Sequence, residues 1–407
     1  MRTGLLALGI AAGVAACGPV LAQAQAVPAI SDKREMRFGG NLDIVYDSNI
    51  SRTSEAVAIA RGLRPEDEIV RPSALFEFVQ PIGRNAAFLE GNAGYDFHRY
   101  NSRLDREDVD VTGGGLLTTG PCRTTGYGRF AAFQTDLQDT SLAVTTNLME
   151  TTTGGGQIAC GQQRGFNLQL QGTHTDVVNS QSRQKVADHR IDAGGVQFGY
   201  ANERLGDLSG ILNYSQVHFP SRLNANGGFG DEYWSEILGV SYQRNFGSKI
   251  KVQAQAGKTI LKRASAPPGV PLKVSGANYA AAVDYKMSSR LEFVIQSTRA
   301  FQPSNRPGKL FDLVTHTEGS AAYNLGTRIT VTLGGFVENL KANQDTSPDA
   351  LATITRARKS SEYVTLRYRQ SQRITAIVDV RHEDKETDLA AFNYADTRAT
   401  VTLAASF

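Results

Sequence analysis

A short turn recurs about every 40 residues along this chain. Clusters rich in Gly, Ser, Asn and Arg stand at 81–85, 120–123, 160–164, 202–206, 245–248, 287–290, 325–328 and 371–373. With Gly83, Cys122, Gly161, Gly206, Gly247, Ser288, Gly326 and Ser371 as markers, the intervals are 39, 39, 45, 41, 41, 38 and 45 residues. A fixed period of this kind marks one supersecondary unit used repeatedly, each unit burying its apolar face against its neighbours. The natural unit here is a hairpin.

Between the turns polarity alternates with period two. Ala399, Val401, Leu403, Ala405 and Phe407 share one face, and Arg398, Thr400, Thr402 and Ser406 share the other. Val364, Leu366 and Tyr368 alternate with Thr365, Arg367 and Arg369; Val378 and Val380 alternate with Asp379 and Arg381. Period two means strand, with one apolar and one polar face. Strands of roughly 9–12 residues suit a tilted bilayer crossing. Longer polar loops fall between successive turns, at 51–68, 220–231, 264–272, 303–309 and 342–350. Short turns at one rim and long loops at the other is the asymmetry of outer-membrane barrels. Just before many short turns sits an aromatic (Phe78, Tyr200, Tyr242, Tyr285, Tyr323, Tyr368), placed to form an interfacial girdle.

Eight turns join nine up–down pairs, so the fold class expected is all-β. It is a closed antiparallel transmembrane β-barrel of about 18 strands, or 16 with one hairpin misread, both termini periplasmic. A soluble propeller of the same period would hold four short strands per unit, where this chain has two long ones.

The first residues read as an export signal: Arg2, an apolar run over 5–16, Pro19, then the small residues Ala22 and Ala24. The expected division is a cleaved signal at 1–24, a short periplasmic segment at 25–35 and the barrel at 36–407, in the outer membrane of a Gram-negative cell. Cleavage after Ala26 and a lipidated Cys17, read from Val14-Ala15-Ala16-Cys17, stay open as alternatives. Beyond the signal there is no apolar stretch of ~18 residues, which excludes spanning helices.

Lys and Arg total 43 against 40 Asp and Glu, a balance that offers no clustered basic face for nucleic acid. No catalytic set, cofactor motif or metal shell is expected. The Gly113–115 and 154–156 triplets lack a following Lys-Ser or Lys-Thr, so they are not phosphate loops, and in strands they permit bending or close packing. Cys122 and Cys160 fall in consecutive short turns of an oxidising compartment and are expected to form a disulfide, with two turns about 10 Å apart leaning together. The lumen is expected to carry Arg367, Arg369, Asp379, Arg381, Glu383, Asp396, Arg398 and Glu338, with Glu318 and Asp312 before them, as a charged wall that guides solute or neutralises itself across strands. The stretch 56–61 in the longest loop reads as a helical turn able to fold inward.

Val401, Leu403, Ala405 and the terminal Phe407 look like the strand read by the outer-membrane barrel-assembly machinery. At the other end, 38–42 leads into Tyr46, Asp47, Ser48, Asn49 and Ile50, which resembles the opening strand of a β-barrel porin family associated with exopolysaccharide and capsule export. That resemblance implies a porin-like conduit embedded in outer-membrane lipid, passing polysaccharide or small polar solutes, and partnered by a periplasmic polysaccharide-export protein. Read without it, Asp47-Ser48-Asn49 is a polar turn at a strand end. Two alternatives to a channel are a plugged structural or adhesive barrel and a barrel-type hydrolase.

Overall fold

The computed structural model describes residues 34–134, 147–161, 164–266, 268–304, 311–342 and 354–407. The expected signal at 1–24, its cleavage sites and Cys17 lie outside the described residues. The strands are β1 (Glu35–Asp47), β2 (Asp67–Ile82), β3 (Asn85–His98), β4 (Arg106–Thr119), β5 (Cys122–Gln134) and β6 (Leu148–Gly161). They continue as β7 (Gly165–Asn179), β8 (His189–Asn202), β9 (Gly206–Leu223), β10 (Phe229–Phe246), β11 (Ile250–Arg263) and β12 (Lys273–Lys286). The last six are β13 (Leu291–Pro303), β14 (Phe311–Leu325), β15 (Ile329–Ala342), β16 (Arg356–Arg369), β17 (Ile374–Thr387) and β18 (Tyr394–Ser406).

Each strand pairs antiparallel with its sequence neighbours, and β1 closes on β18 from Gly39 opposite Ser406 to Asp47 opposite Arg398. The barrel therefore has 18 strands, not 16. Closure gives every strand two partners and leaves no edge, the condition for burying a β-backbone in hydrocarbon. Both ends of the described chain sit at the rim of the eight short turns. Gly83 and Gly247 turn there with φ of 65° and 64°, a left-handed conformation that residues with a Cβ disfavour.

The alternation seen in the sequence sorts side chains as expected. Phe38, Leu42 and Ile44 of β1, Leu238 and Val240 of β10, and Val364, Leu366 and Tyr368 of β16 are outward and exposed. Tyr200, Tyr285, Tyr323 and Tyr368 stand exposed on that face beside the short-turn rim. An apolar belt of this kind is stable only against lipid. No helix among the described residues is long and apolar enough to cross a membrane.

One expectation needs correction in detail. The segment 220–231 is not a long loop: β9 and β10 run 18 residues each and leave only a tight connection at 224–228. Alternation simply continues past the apolar belt, with Phe219, Tyr233 and Asp231 buried inward. The longest connection contains a helix, α1 (Glu55–Ala60), and the residues flanking it are tied to neighbouring connections. Leu63 packs on Leu104 and Ile50, and the Ser54 N–H donates to the Ala391 carbonyl at 3.1 Å.

Candidate pore

The inward face divides into two walls. One is charged and covers β14 to β18 and β1 to β5. Lys359 meets Glu383 at 2.9 Å, and the Tyr394 hydroxyl donates to Glu383 at 2.6 Å. His316 lies 3.4 Å from Glu338 and 3.8 Å from Glu318. Arg129 meets Asp110 at 2.5 Å, and Arg71 pairs with Asp96. All are cross-strand neighbours or lie one step along the same strand, the geometry in which opposite charges stabilise a sheet.

The structure places Arg367, Arg369, Asp379, Arg381, Glu383, Asp396, Arg398 and Glu338 on this inward face, in alternation with the exposed outward residues. It does not gather them into one site. Arg367 and Arg369 lie toward the short-turn rim, Asp396 and Arg398 toward the opposite mouth. Between them the Thr365 hydroxyl donates to Asp379 at 2.6 Å, and the Arg381 guanidinium stands 5.1 Å from the Tyr363 ring centroid.

At that mouth, the 46–50 segment forms an anchored corner. Tyr46 points outward, while Asp47 is buried and accepts from the Asn49 N–H at 2.9 Å, the self-capped turn that Asx residues favour. Arg52 reaches Asp47 at 2.7 Å and Asp396 at 2.5 Å, and Arg398 stands 3.4 Å from Asp47. The Ser48 hydroxyl donates to Asp396 at 3.1 Å, and Ile50 joins Leu63 and Leu104. Arg52 is the only non-glycine residue with positive φ among the described residues, at 52°. Such a conformation costs of order 1–3 kcal/mol and persists where surroundings over-determine it, as two buried carboxylates do here. Nothing in the sequence singled out Arg52.

A second feature spans the mouth. Phe219 of β9, Tyr233 of β10, Leu261 of β11 and Phe311 of β14 form one buried apolar cluster with Ile191 and Val217. The ring centroids of Tyr233 and Phe311 are 6.2 Å apart, and those of Phe301 and Phe311 5.5 Å apart. Four strand spacings separate β10 from β14, roughly 19 Å along the wall, so the Tyr233–Phe311 contact cuts across the barrel, while Phe301 and Phe311 belong to one hairpin. Pairing of β13 with β12 stops at Arg299 opposite Tyr279, which frees the upper β13–β14 hairpin to lean in. Arg222 stacks on Phe219 at 3.7 Å and donates to the Ser304 carbonyl at 2.9 Å. The signal for this cluster was Val217 and Phe219 continuing the inward parity of Ile211 and Ser215 on β9; beyond Phe219 the register with β10 shifts.

The second wall is neutral and built from amides. A cavity of about 650 Å³ is lined by Gln169, Gln197, Gln243, Gln253, Gln255 and Gln296, with Arg123 and Asp207. Inward aromatics lie flat rather than filling the lumen. A Cβ at Gly155 would fall 2.7 Å from the Tyr127 ring, and one at Gly334 would collide with Tyr363. The 154–156 triplet thus gives Tyr127 room beside the wall. The 113–115 triplet does the same for Phe88, whose ring lies 2.8 Å from a Cβ built at Gly114.

Cys122 and Cys160 are disulfide-bonded with Cα atoms 4.0 Å apart. They are directly opposite partners on adjacent strands β5 and β6, one spacing apart rather than two. The turns themselves need not lean, because the adjoining legs of neighbouring turns already belong to paired strands. Val401, Leu403, Ala405 and Phe407 line the outward side of β18, and the Phe407 N–H donates to the Phe38 carbonyl at 2.7 Å. Among the described residues no group of three or more His, Cys, Asp or Glu is placed to hold a metal ion.

No protein-family model matches the chain, and no curated protein matches it. Solved structures do. The apoprotein form of the FrpB iron transporter from Neisseria meningitidis aligns with TM-score 0.51 at 13% identity, over 88% of this chain and 62% of that one. The chain thus spans less than two thirds of FrpB. OpdK from Pseudomonas aeruginosa, solved with vanillate, aligns with TM-score 0.50 at 10% identity, over 92% of this chain and 99% of OpdK. The fold is that of outer-membrane barrels. At this identity the likeness speaks to architecture alone.

Proposed function

We propose that this barrel is a porin-like outer-membrane channel for small polar solutes. The observation that carries the reading is the continuous polar inner surface, charged on one wall and amide-lined on the other, inside an 18-strand cylinder. Barrels of this size leave an aqueous channel unless something fills them. Here the filling among the described residues is partial: an apolar cluster across one side of the mouth, with inward aromatics folded flat below it. Paired charges and glutamines offer hydrogen bonds to a passing solute without a concentrated charge to trap it.

A small-solute cargo fits a mouth narrowed in this way. Export of a polymer, with a periplasmic polysaccharide-export partner, is the finer reading, and the resemblance at 38–50 is what supports it. The corner at 47–50 has a structural task in any case, since it anchors the mouth through Asp47 and Asp396. The polar lumen likewise favours a channel over a plugged anchor or a hydrolase.

The test is conductance of the refolded chain in planar bilayers, with liposome swelling in sugars of graded size. Steady conductance and a sharp size cut-off for small sugars are expected. A silent barrel that passes no sugar would overturn the channel, and passage of long oligosaccharides would favour the polymer reading.

A further inference from the structure

Above the apolar belt the outward face carries charge, and much of it is paired. Lys262 meets Glu236 at 2.5 Å, Arg190 meets Asp176 at 2.8 Å, and His382 meets Asp384 at 3.2 Å. The face of β13 to β16 differs. Strand register aligns Tyr279, Arg299, Thr315, Asn339 and Arg358 in one row across β12 to β16. In the next row outward, Leu313, Lys341 and Arg356 align. Among the described residues none of these four cations makes an ion pair, and the Arg299 Nε is buried without a hydrogen-bond partner. Among the described residues, the acids that line the recess between these cations stand at its β17 side. Glu386 stands opposite Arg358 on β17, and the Asp388 carboxylate is taken up by the Thr355 N–H at 2.9 Å.

The surface between the cations is concave. A recess of about 590 Å³ is lined by Arg299, Thr315, Asn339, Lys341, Arg356 and Arg358, with Glu386 and Asp388 closing its β17 side, so four cations face two carboxylates. Its origin follows from the fold: where β13 parts from β12 and the hairpin leans into the mouth, the outer wall is drawn in. The level is also informative. Exposed Ile295, Leu333 and Val364 mark the belt on these strands. The cations lie four to eight residues beyond them, roughly 13–26 Å along tilted strands, where hydrocarbon gives way to headgroups. Tyr279, in register with Arg299, is an aromatic suited to that interface.

We propose that this recess binds the phosphate groups of a phosphorylated glycolipid in the outer leaflet. Arginine presents a planar fork matched to phosphate oxygens, and lysine adds a point charge. Arg299 and Arg358 are three spacings apart, about 14 Å, so the patch is as wide as a disaccharide headgroup rather than a single anion. Cations at a membrane surface attract anionic headgroups without a deep pocket. The proposal rests on the outer-membrane placement but not on conductance, so a closed barrel would leave it standing.

The full chain in non-ionic detergent micelles, titrated with purified rough lipopolysaccharide and read by native mass spectrometry, tests it. Wild type is expected to retain the glycolipid, and Arg299→Gln/Arg356→Gln/Arg358→Gln to bind about 100-fold more weakly, roughly fivefold per cation lost. Lys262→Gln, at a paired site, should bind as wild type, and dephosphorylated glycolipid should not be retained. Heat-modifiable gel migration reports folding of each variant. If the triple variant fails to fold, Arg356→Gln/Arg358→Gln is expected to lose about 25-fold on the same scale. Equal binding by a folded charge-removed variant, or equal binding of the dephosphorylated glycolipid, would overturn the proposal.

Discussion

Arg222 Nη2 donates to the Ser304 carbonyl at 2.9 Å, tying β9 to the far end of β13 across the barrel mouth. The same guanidinium donates to the Val186 carbonyl at 3.0 Å and lies over Phe219. One side chain therefore joins two connections and the apolar cluster. A hydrogen bond from a charged donor contributes about 1.5–3 kcal/mol, so Arg222→Ala should shift the population of the leaned-in hairpin by about 10-fold or more. Single-channel recording is expected to show higher mean conductance and longer open dwell times. Unchanged traces would mean that this cluster does not narrow the path.

The cluster also shows where sequence reading stopped. Strand number, alternation, the aromatic rim and the eight turns were all legible, because period two and turn chemistry are local and repeat many times. The Cys122–Cys160 bond was legible as chemistry, although its distance was misjudged by counting turns instead of the strands that flank them. Lumen residues such as Arg381 and Glu338 could be placed by parity. What parity cannot give is which strands lean away from the wall. The contact of Tyr233 with Phe311 joins residues 78 apart in sequence, and no local pattern encodes it. Arg52 was invisible for the same reason, since its partner Asp396 comes from the other end of the chain.

That partnership is testable by removing the cation alone. Arg52→Met leaves Asp47 and Asp396 buried and facing each other, and breaking a buried ion pair in this way costs about 3–5 kcal/mol. The corner 48–66 should then lose amide hydrogen-exchange protection and become protease-sensitive, while the strands stay protected. Adding Asp47→Asn and Asp396→Asn should recover much of the loss, because the two buried carboxylates are gone and the remaining cation, Arg398, is partly exposed to water. A corner as protected in Arg52→Met as in wild type would show that the pair is not what holds it.

Gly155 makes a narrower claim about lumen width. With Tyr127 flat against it, a larger side chain has no space on the wall and must drive the ring into the channel. Gly155→Leu is expected to lower conductance measurably and to slow swelling with the larger sugars. Gly155→Leu/Tyr127→Ala should restore both, since the ring is gone and the leucine can lie in its place. If the single variant conducts as wild type, the glycine serves folding and not bore.

Phe407 separates a targeting role from a structural one. Its backbone takes part in closing the barrel, donating to the Phe38 carbonyl at 2.7 Å, while its ring is 78% exposed and contributes little packing. Phe407→Ala keeps the backbone bond and removes the ring, whereas deletion removes both. If the assembly machinery reads the ring, Phe407→Ala should lower outer-membrane levels in cells yet leave the melting of refolded protein unchanged. Deletion should lower both, the melting loss being small because the two terminal hydrogen bonds with Phe38, at 2.7 and 3.4 Å, contribute only about 0.5–1.5 kcal/mol each. Normal surface levels for Phe407→Ala would remove the ring from the signal and leave Val401 and Leu403 to carry it.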